Sequence, residues 1–200
     1  MAVSPEQVKE LRERTGAGMM NCKKALEAAG GNLEQAVTLL KEQGMAVATK
    51  RATKEASQGL IEAYIHAGGK VGVLVELNCE TDFVAKTDEF RVLAREIGMQ
   101  VAAMSPEVVS REDLPAERVQ EEERIFRQRA VEEGKPEPAI DGIVKGRVGK
   151  FYSQVCLLDQ PYVRDDKRTV LDLLNEVTGK LGERIVVRRF SRFAVGEAGR

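Results

Sequence analysis

Between residues 59 and 79 the chain alternates, and that alternation is the hardest constraint on its fold. In KVGVLVELNC (70–79), Val71, Val73, Val75, Leu77 and Cys79 fall on every second position. A pleated strand sends such positions to one face, whereas a helix scatters them. In GLIEAYIH (59–66), Ile61, Ala63 and Ile65 repeat the pattern. Ala67-Gly68-Gly69 sits between the two runs, and glycine admits the positive φ of a tight turn. The stretch predicts a hairpin in which each strand gathers its apolar set on one face. A lone hairpin is marginal in water, so a further strand is needed. RIVVRRFSRFAV (184–195) supplies it, and a three-stranded antiparallel sheet is the expected closure.

Around that sheet the periodicity changes to a helical one. Ser4, Pro5 and Gln7 form the start signal of a first helix, with Val8 and Leu11 on one face and T-G-A-G (15–18) ending it. Met19, Cys22 or Lys23, and Leu26 space a second helix, stopped by Gly30-Gly31. Asn32 caps a third, striped by Leu33, Ala36, Val37 and Leu40, and Gly44 is read as its end. Residues 1–45 are thus a three-helix module. Residues 46–58 are Ala-rich and polar and read as a connector, partly helical. Residues 59–200 form the body. Within it Phe90, Leu93, Ala94, Ile97 and Val101 mark a helix that ends before Pro106, and 116–133 a charged one. Ile140, Val144, Val148, Phe151, Val155 and Leu158 mark a further helix, which Gly142, Gly146 and Gly149 are expected to bend or break. Val170, Leu173, Leu174 and Val177 place the last helix over 167–179. The fold class is α+β.

Composition excludes several functions. The 31 basic and 32 acidic side chains leave a formal charge of −1, which gives no general attraction to nucleic acid or to an anionic membrane. No apolar run nears the length of about 20 residues that spans a bilayer. The opening MAVSPEQVKELRERTG has no signal-peptide apolar region, so a cytosolic location is expected. Cys22, Cys79 and Cys156 are scattered, which fits buried, reduced thiols.

G-A-G-M-M-N (16–21) lacks the last glycine of a dinucleotide loop and the strand before it. G-G-K-V (68–71) lacks the Ser or Thr of a phosphate loop, so direct nucleotide binding is not expected. His66 is the single histidine, at a strand end beside a turn. Cys and His lack zinc spacing, and Glu80, Asp82, Asp88 and Glu89 lack a calcium-loop pattern. No catalytic constellation, metal site or cofactor is expected, and a binding protein is favoured over an enzyme. One oddity stands out in ELNCETDFVAK (76–86). Phe, scarce in this chain, follows Asp82 where the strand stops. Phe83 can pack inward or point outward toward a partner.

Two long stretches carry a resemblance. L-R-E-R-T-G-A-G-M-M-N-C-K-K-A-L (11–26) and V-G-V-L-V-E-L-N-C-E-T-D-F-V-A (71–85) resemble the two signature regions of bacterial elongation factor Ts. L-L-D-Q-P-Y-V (157–163) and R-I-V-V-R-R-F-S-R-F (184–193) are also similar to that family, so nearly the whole chain is covered. The resemblance implies a ubiquitin-associated-like N-terminal module, a sheet-and-helix core, and the short form of the family. It implies nucleotide exchange on elongation factor Tu carrying GDP. Thr81, Asp82, Phe83 and Val84 would form the element that disturbs the partner's Mg²⁺ site. Arg12, Met19 and Met20 would meet the partner's nucleotide domain. Adjacent residues on a helix point about 100° apart, which leaves room for one Met to pack inward while the other faces the partner. The short form leaves surface uncovered that a longer member buries, so self-association to a homodimer is expected. Three readings from other classes compete: RNA binding through R-R-F-S-R-F, an adaptor for a ubiquitin-like partner, and an enzyme built around His66.

Overall fold

The computed structural model describes residues 3–197. Helix α1 (Pro5–Thr15) starts at a complete capping box. Ser4 Oγ accepts from the Gln7 N–H at 3.2 Å, and Gln7 Oε1 accepts from the Ser4 N–H at 3.0 Å. Two donors that a helix start leaves open are thereby satisfied. Gly16 ends α1 in the left-handed region, at φ 63°. Helix α2 (Met19–Ala28) and helix α3 (Leu33–Arg51) follow, and Asn32 caps α3 by accepting from the Gln35 N–H at 3.1 Å. Val8, Leu11, Cys22, Ala25, Leu26 and Ala36 close a small core among the three helices.

Gly44 does not end the third helix. α3 runs on to Arg51, through the first part of the stretch expected to be a connector. Gly44 is a crossing point instead, where Asn175 O would lie 3.1 Å from an added Cβ.

Strand β1 (Gln58–Ile65) and strand β2 (Val71–Cys79) make the expected hairpin, with the His66 N–H donating to Val71 O at 2.9 Å. The turn holds Gly68 and Gly69 at φ 89° and 68°, conformations that L side chains resist. A four-residue helical turn α4 (Asp82–Ala85) leads to helix α5 (Asp88–Met104), whose stripe Phe90, Leu93, Ala94, Ile97 and Val101 is buried. Helix α6 (Ala116–Glu132) pairs with helix α7 (Glu137–Val155). The expected break in α7 is absent. Its buried stripe of Ile140, Val144, Val148 and Phe151 holds it through Gly142, Gly146 and Gly149, which face open space. Strand β3 (Pro161–Tyr162) and strand β4 (Asp165–Thr169) form a small antiparallel ribbon that takes the first residues assigned by pattern to the last helix. That helix, α8, is Val170–Leu181, and strand β5 (Val186–Ala194) closes the chain's larger sheet in the order β1-β2-β5. The fold is α+β with a three-stranded antiparallel sheet.

On β2 the predicted face is the buried one: Val73, Val75, Leu77 and Cys79 are all inside. On β1 the predicted set lies on the other side. Ile61 and Ile65 are 66% and 65% exposed, while Leu60, Glu62 and Tyr64 are partly covered. Alternation fixes which residues share a face; it does not say which face meets the core.

The chain folds into two compact units. One gathers the chain up to Leu60 with Leu77–Leu93 and Asp172–Val186. Here α3 and α8 touch backbone to backbone: a Cβ on Gly179 would lie 2.7 Å from Gly44 Cα, and one on Gly44 would lie 3.1 Å from Asn175 O. The other unit gathers Ile61–Glu76, Ala94–Leu171 and the chain from Val187. In it Gln100 and Gln160 form a buried polar pair. Gln100 Nε2 donates to Gln160 Oε1 and to Pro161 O, each at 3.1 Å, and Gln100 Oε1 accepts from the Val163 N–H at 2.8 Å. All three cysteines are buried and unbridged. Among the described residues no helix is long and apolar enough to cross a membrane.

Candidate functional site

The first unit contains 11–26 and, of the stretch 76–86, the residues from Leu77 on. β2 ends at Cys79, within the second of them. Cys79 is buried, and its thiol donates to Thr81 O at 3.1 Å. Burial, and then the charge of Glu183, pushes that thiol up to about 11. It is therefore a neutral packing residue at neutral pH and no nucleophile.

Thr81 is extended, at φ −127° and ψ 154°, and caps α4 by accepting from the Val84 N–H at 3.4 Å. Ala85 is buried and anchors the turn on its inner side. Thr87 then donates to Val84 O at 2.8 Å and accepts from the Phe90 N–H at 3.3 Å, so one hydroxyl ends the turn and starts α5. Between these anchors Phe83 stands 79% exposed. Leaving a large apolar ring in water forgoes about 1.5–3 kcal/mol of burial. Of the two orientations open to Phe83, the structure has the outward one. Asp82 is also exposed and pairs with Lys86 at 2.6 Å, one helical turn on. The Lys86 ammonium holds the Asp82 carboxyl below the usual carboxylate range. A pair this wet contributes little to stability and is easily exchanged for another partner.

The turn is fixed at its base by two glutamates. The Glu183 carboxylate accepts from the Thr81 N–H at 3.0 Å and from the Thr81 hydroxyl at 2.7 Å. Glu80 accepts from the Arg184 N–H at 2.7 Å and from the Arg51 guanidinium at 2.8 Å. Arg184 also donates to Lys54 O at 2.5 Å. Sequence reasoning weighed Glu80 only as a metal ligand and missed Glu183 and Arg51. No local pattern could have found Glu183, because 102 positions separate it from Thr81.

In the N-terminal stretch Arg12 is exposed. Met19 and Met20 are 60% and 63% exposed, so neither packs inward. The inward face of α2 is Cys22, Ala25 and Leu26, an i, i+3, i+4 set that leaves the first turn outside. Exposed Met side chains are adaptable contact surface.

His66 is exposed and its Nδ1 lies 3.1 Å from the Tyr64 hydroxyl. In β5 two of the arginines are paired, Arg189 with Glu76 and Arg192 with Glu197, both at 2.7 Å.

Comparison with known proteins gives one result. The family model described as elongation factor TS matches residues 6–197. The chain is 57% identical over 195 residues to elongation factor Ts of Caldanaerobacter subterraneus subsp. tengcongensis, covering 98% of each chain. It is 57% identical to elongation factor Ts of Moorella thermoacetica, covering 98% of this chain and 96% of that one. It is 56% identical to elongation factor Ts of Thermoanaerobacter pseudethanolicus, again over 98% and 96%.

Proposed function

The chain belongs to the elongation factor Ts family, and from that premise we propose that it is the guanine nucleotide exchange factor of elongation factor Tu. The observation that carries the reading is the outward Phe83, held on a single helical turn with its base fixed on both sides. Residues 81–84 act as the exchange element. Phe83 enters the partner's nucleotide domain, and burying it there is worth about 2–3 kcal/mol. That free energy favours a partner conformation in which Mg²⁺ and GDP are poorly held. Asp82 leaves Lys86 and accepts a hydrogen bond from the displaced partner segment. Arg12, Met19 and Met20, on the three-helix module, dock the same nucleotide domain.

No bond of the substrate is made or broken. Exchange is a coupling between two ligands of one partner. The factor by which this protein weakens GDP binding is the factor by which GDP weakens the binding of this protein. GDP leaves, GTP enters, and the exchange factor is expelled. The place of action is the cytoplasm, in protein synthesis. The exposed Ile61 and Ile65 on β1 support self-association as a further property.

The test is the release of a fluorescent GDP analogue from elongation factor Tu, chased with unlabelled GDP. Catalytic amounts of this protein are expected to accelerate release. Release at the spontaneous rate, with a cognate partner, sinks the reading.

A further inference from the structure

A four-residue turn has no stability of its own, because helix formation is unfavourable until several residues are fixed. The direction of Phe83 therefore depends on what holds Thr81. The cap bond within the turn is long, 3.4 Å from the Val84 N–H to Thr81 Oγ1. The bonds from outside it are shorter. Glu183 takes the Thr81 N–H at 3.0 Å and the Thr81 hydroxyl proton at 2.7 Å. A hydroxyl has one proton to give, so donating it to Glu183 leaves its lone pairs to receive the Val84 N–H. One carboxylate thus fixes both the backbone and the rotor of the capping residue. The adjacent pair runs the opposite way. Glu80 takes the Arg184 N–H at 2.7 Å, and Arg51 holds Glu80 from α3 at 2.8 Å. Residue 183 grips the backbone of 81 while residue 80 grips the backbone of 184. Hydrogen bonds to an ionised carboxylate are roughly twice as strong as neutral ones.

We propose that Glu183 is a positioning residue for nucleotide exchange, and that this reciprocal carboxylate clamp sets the angle at which Asp82 and Phe83 meet the partner. The inference rests on the assignment of 81–84 as the exchange element. Glu183 acts through Thr81 and is not itself a contact to the partner's nucleotide. Loss of the clamp leaves docking through Arg12, Met19 and Met20 in place and lets the turn wander. The maximal rate of release falls, and the concentration needed for half-saturation changes little.

The experiment measures GDP-analogue release from elongation factor Tu over a range of concentrations of this protein, using Glu183→Ala, Glu183→Gln, Phe83→Ala and the Glu183→Ala, Phe83→Ala double variant. Melting curves establish that each is folded at the assay temperature. Glu183→Ala is expected to lower the maximal rate about tenfold, the equivalent of about 1.4 kcal/mol, with half-saturation moved less than about threefold. Glu183→Gln keeps one acceptor for the Thr81 N–H and is expected to fall between parent and Ala, about threefold slow. In the Phe83→Ala background, Glu183→Ala is expected to add nothing, because the residue it positions is gone. Parental maximal rates for both Glu183 variants, with Phe83→Ala slow, overturn the inference alone. So does an equal loss from Glu183→Ala in both backgrounds. A parental rate for Phe83→Ala overturns the assignment of the exchange element, and the inference with it. If Glu183→Ala does not fold, Glu183→Gln decides: slow supports the clamp and parental overturns it.

Discussion

Glycine to alanine is the same chemical change at five helical positions of this chain, and the structure assigns it opposite signs. In α7 an added Cβ at Gly142, Gly146 or Gly149 meets nothing within 4 Å. Each replacement gains only helix propensity, about 0.8–1.0 kcal/mol. The triple variant should gain about 2–3 kcal/mol, and at about 2–4 °C per kcal/mol for a chain of this size its melting temperature should rise by about 5–10 °C. At Gly179 the same Cβ would lie 2.7 Å from Gly44 Cα, and at Gly44 it would lie 3.1 Å from Asn175 O. Those neighbours are backbone and cannot rotate away. Overpacking of this kind costs about 1–3 kcal/mol or more, enough to cancel the propensity gain and leave a net loss. Gly179→Ala, the tighter of the two, should melt several degrees below the parent. The assay is thermal unfolding followed by circular dichroism, with urea titrations to check that the m-value is unchanged. A Gly179→Ala chain at least as stable as the parent would refute the close crossing of α3 and α8. A triple α7 variant no more stable than the parent would refute the continuous, open-faced α7.

Other consequences can be measured directly. Burial pushes the Cys79 and Cys156 thiols up to about 11 from an ordinary 9.0, and the Tyr162 hydroxyl up to about 12 from 10.0. Above pH 9 the unfolded chain sheds protons that the folded one keeps, so stability should be flat at neutral pH and fall as pH rises toward 11–12; a stability that rises there contradicts the burial. Replacing Met19 and Met20 by Ala should leave the melting temperature nearly unchanged, since both are exposed, yet raise the half-saturating concentration in the exchange assay by about tenfold. Gln100→Leu strands the Val163 N–H and Gln160 Oε1, and should cost about 1–3 kcal/mol in a denaturant titration; a neutral effect would mean that the pair is not buried as described.

What the sequence reveals here follows from how local each signal is. Ser4, Gln7 and Asn32 announce helix starts because a cap is a matter of three neighbouring residues, and each cap is found as expected. The A-G-G hairpin and the buried face of β2 are legible for the same reason. Errors arise where a distant element decides. Gly44 reads as a stop signal, but α8 needs a residue without a side chain there. The α7 glycines read as a break, but the buried stripe between them outweighs a propensity deficit of about 1 kcal/mol each. Residues 167–169 read as the start of a helix, but they belong to β4, which pairs with Pro161–Tyr162. At the site, the outward Phe83 was one of two open orientations, and the family resemblance chose between them. Glu183 was beyond reach, since its role exists only once the chain has folded.

The central claim is that residues 82 and 83 are the lever of exchange, and the Asp82→Ala, Phe83→Ala double variant tests it most directly. Both side chains are exposed, so the variant should melt close to the parent. Removing a burial of about 2–3 kcal/mol should slow catalysed GDP-analogue release from elongation factor Tu by about thirtyfold or more at a saturating concentration. A folded double variant that releases GDP as fast as the parent would contradict the account and move the lever elsewhere on the molecule.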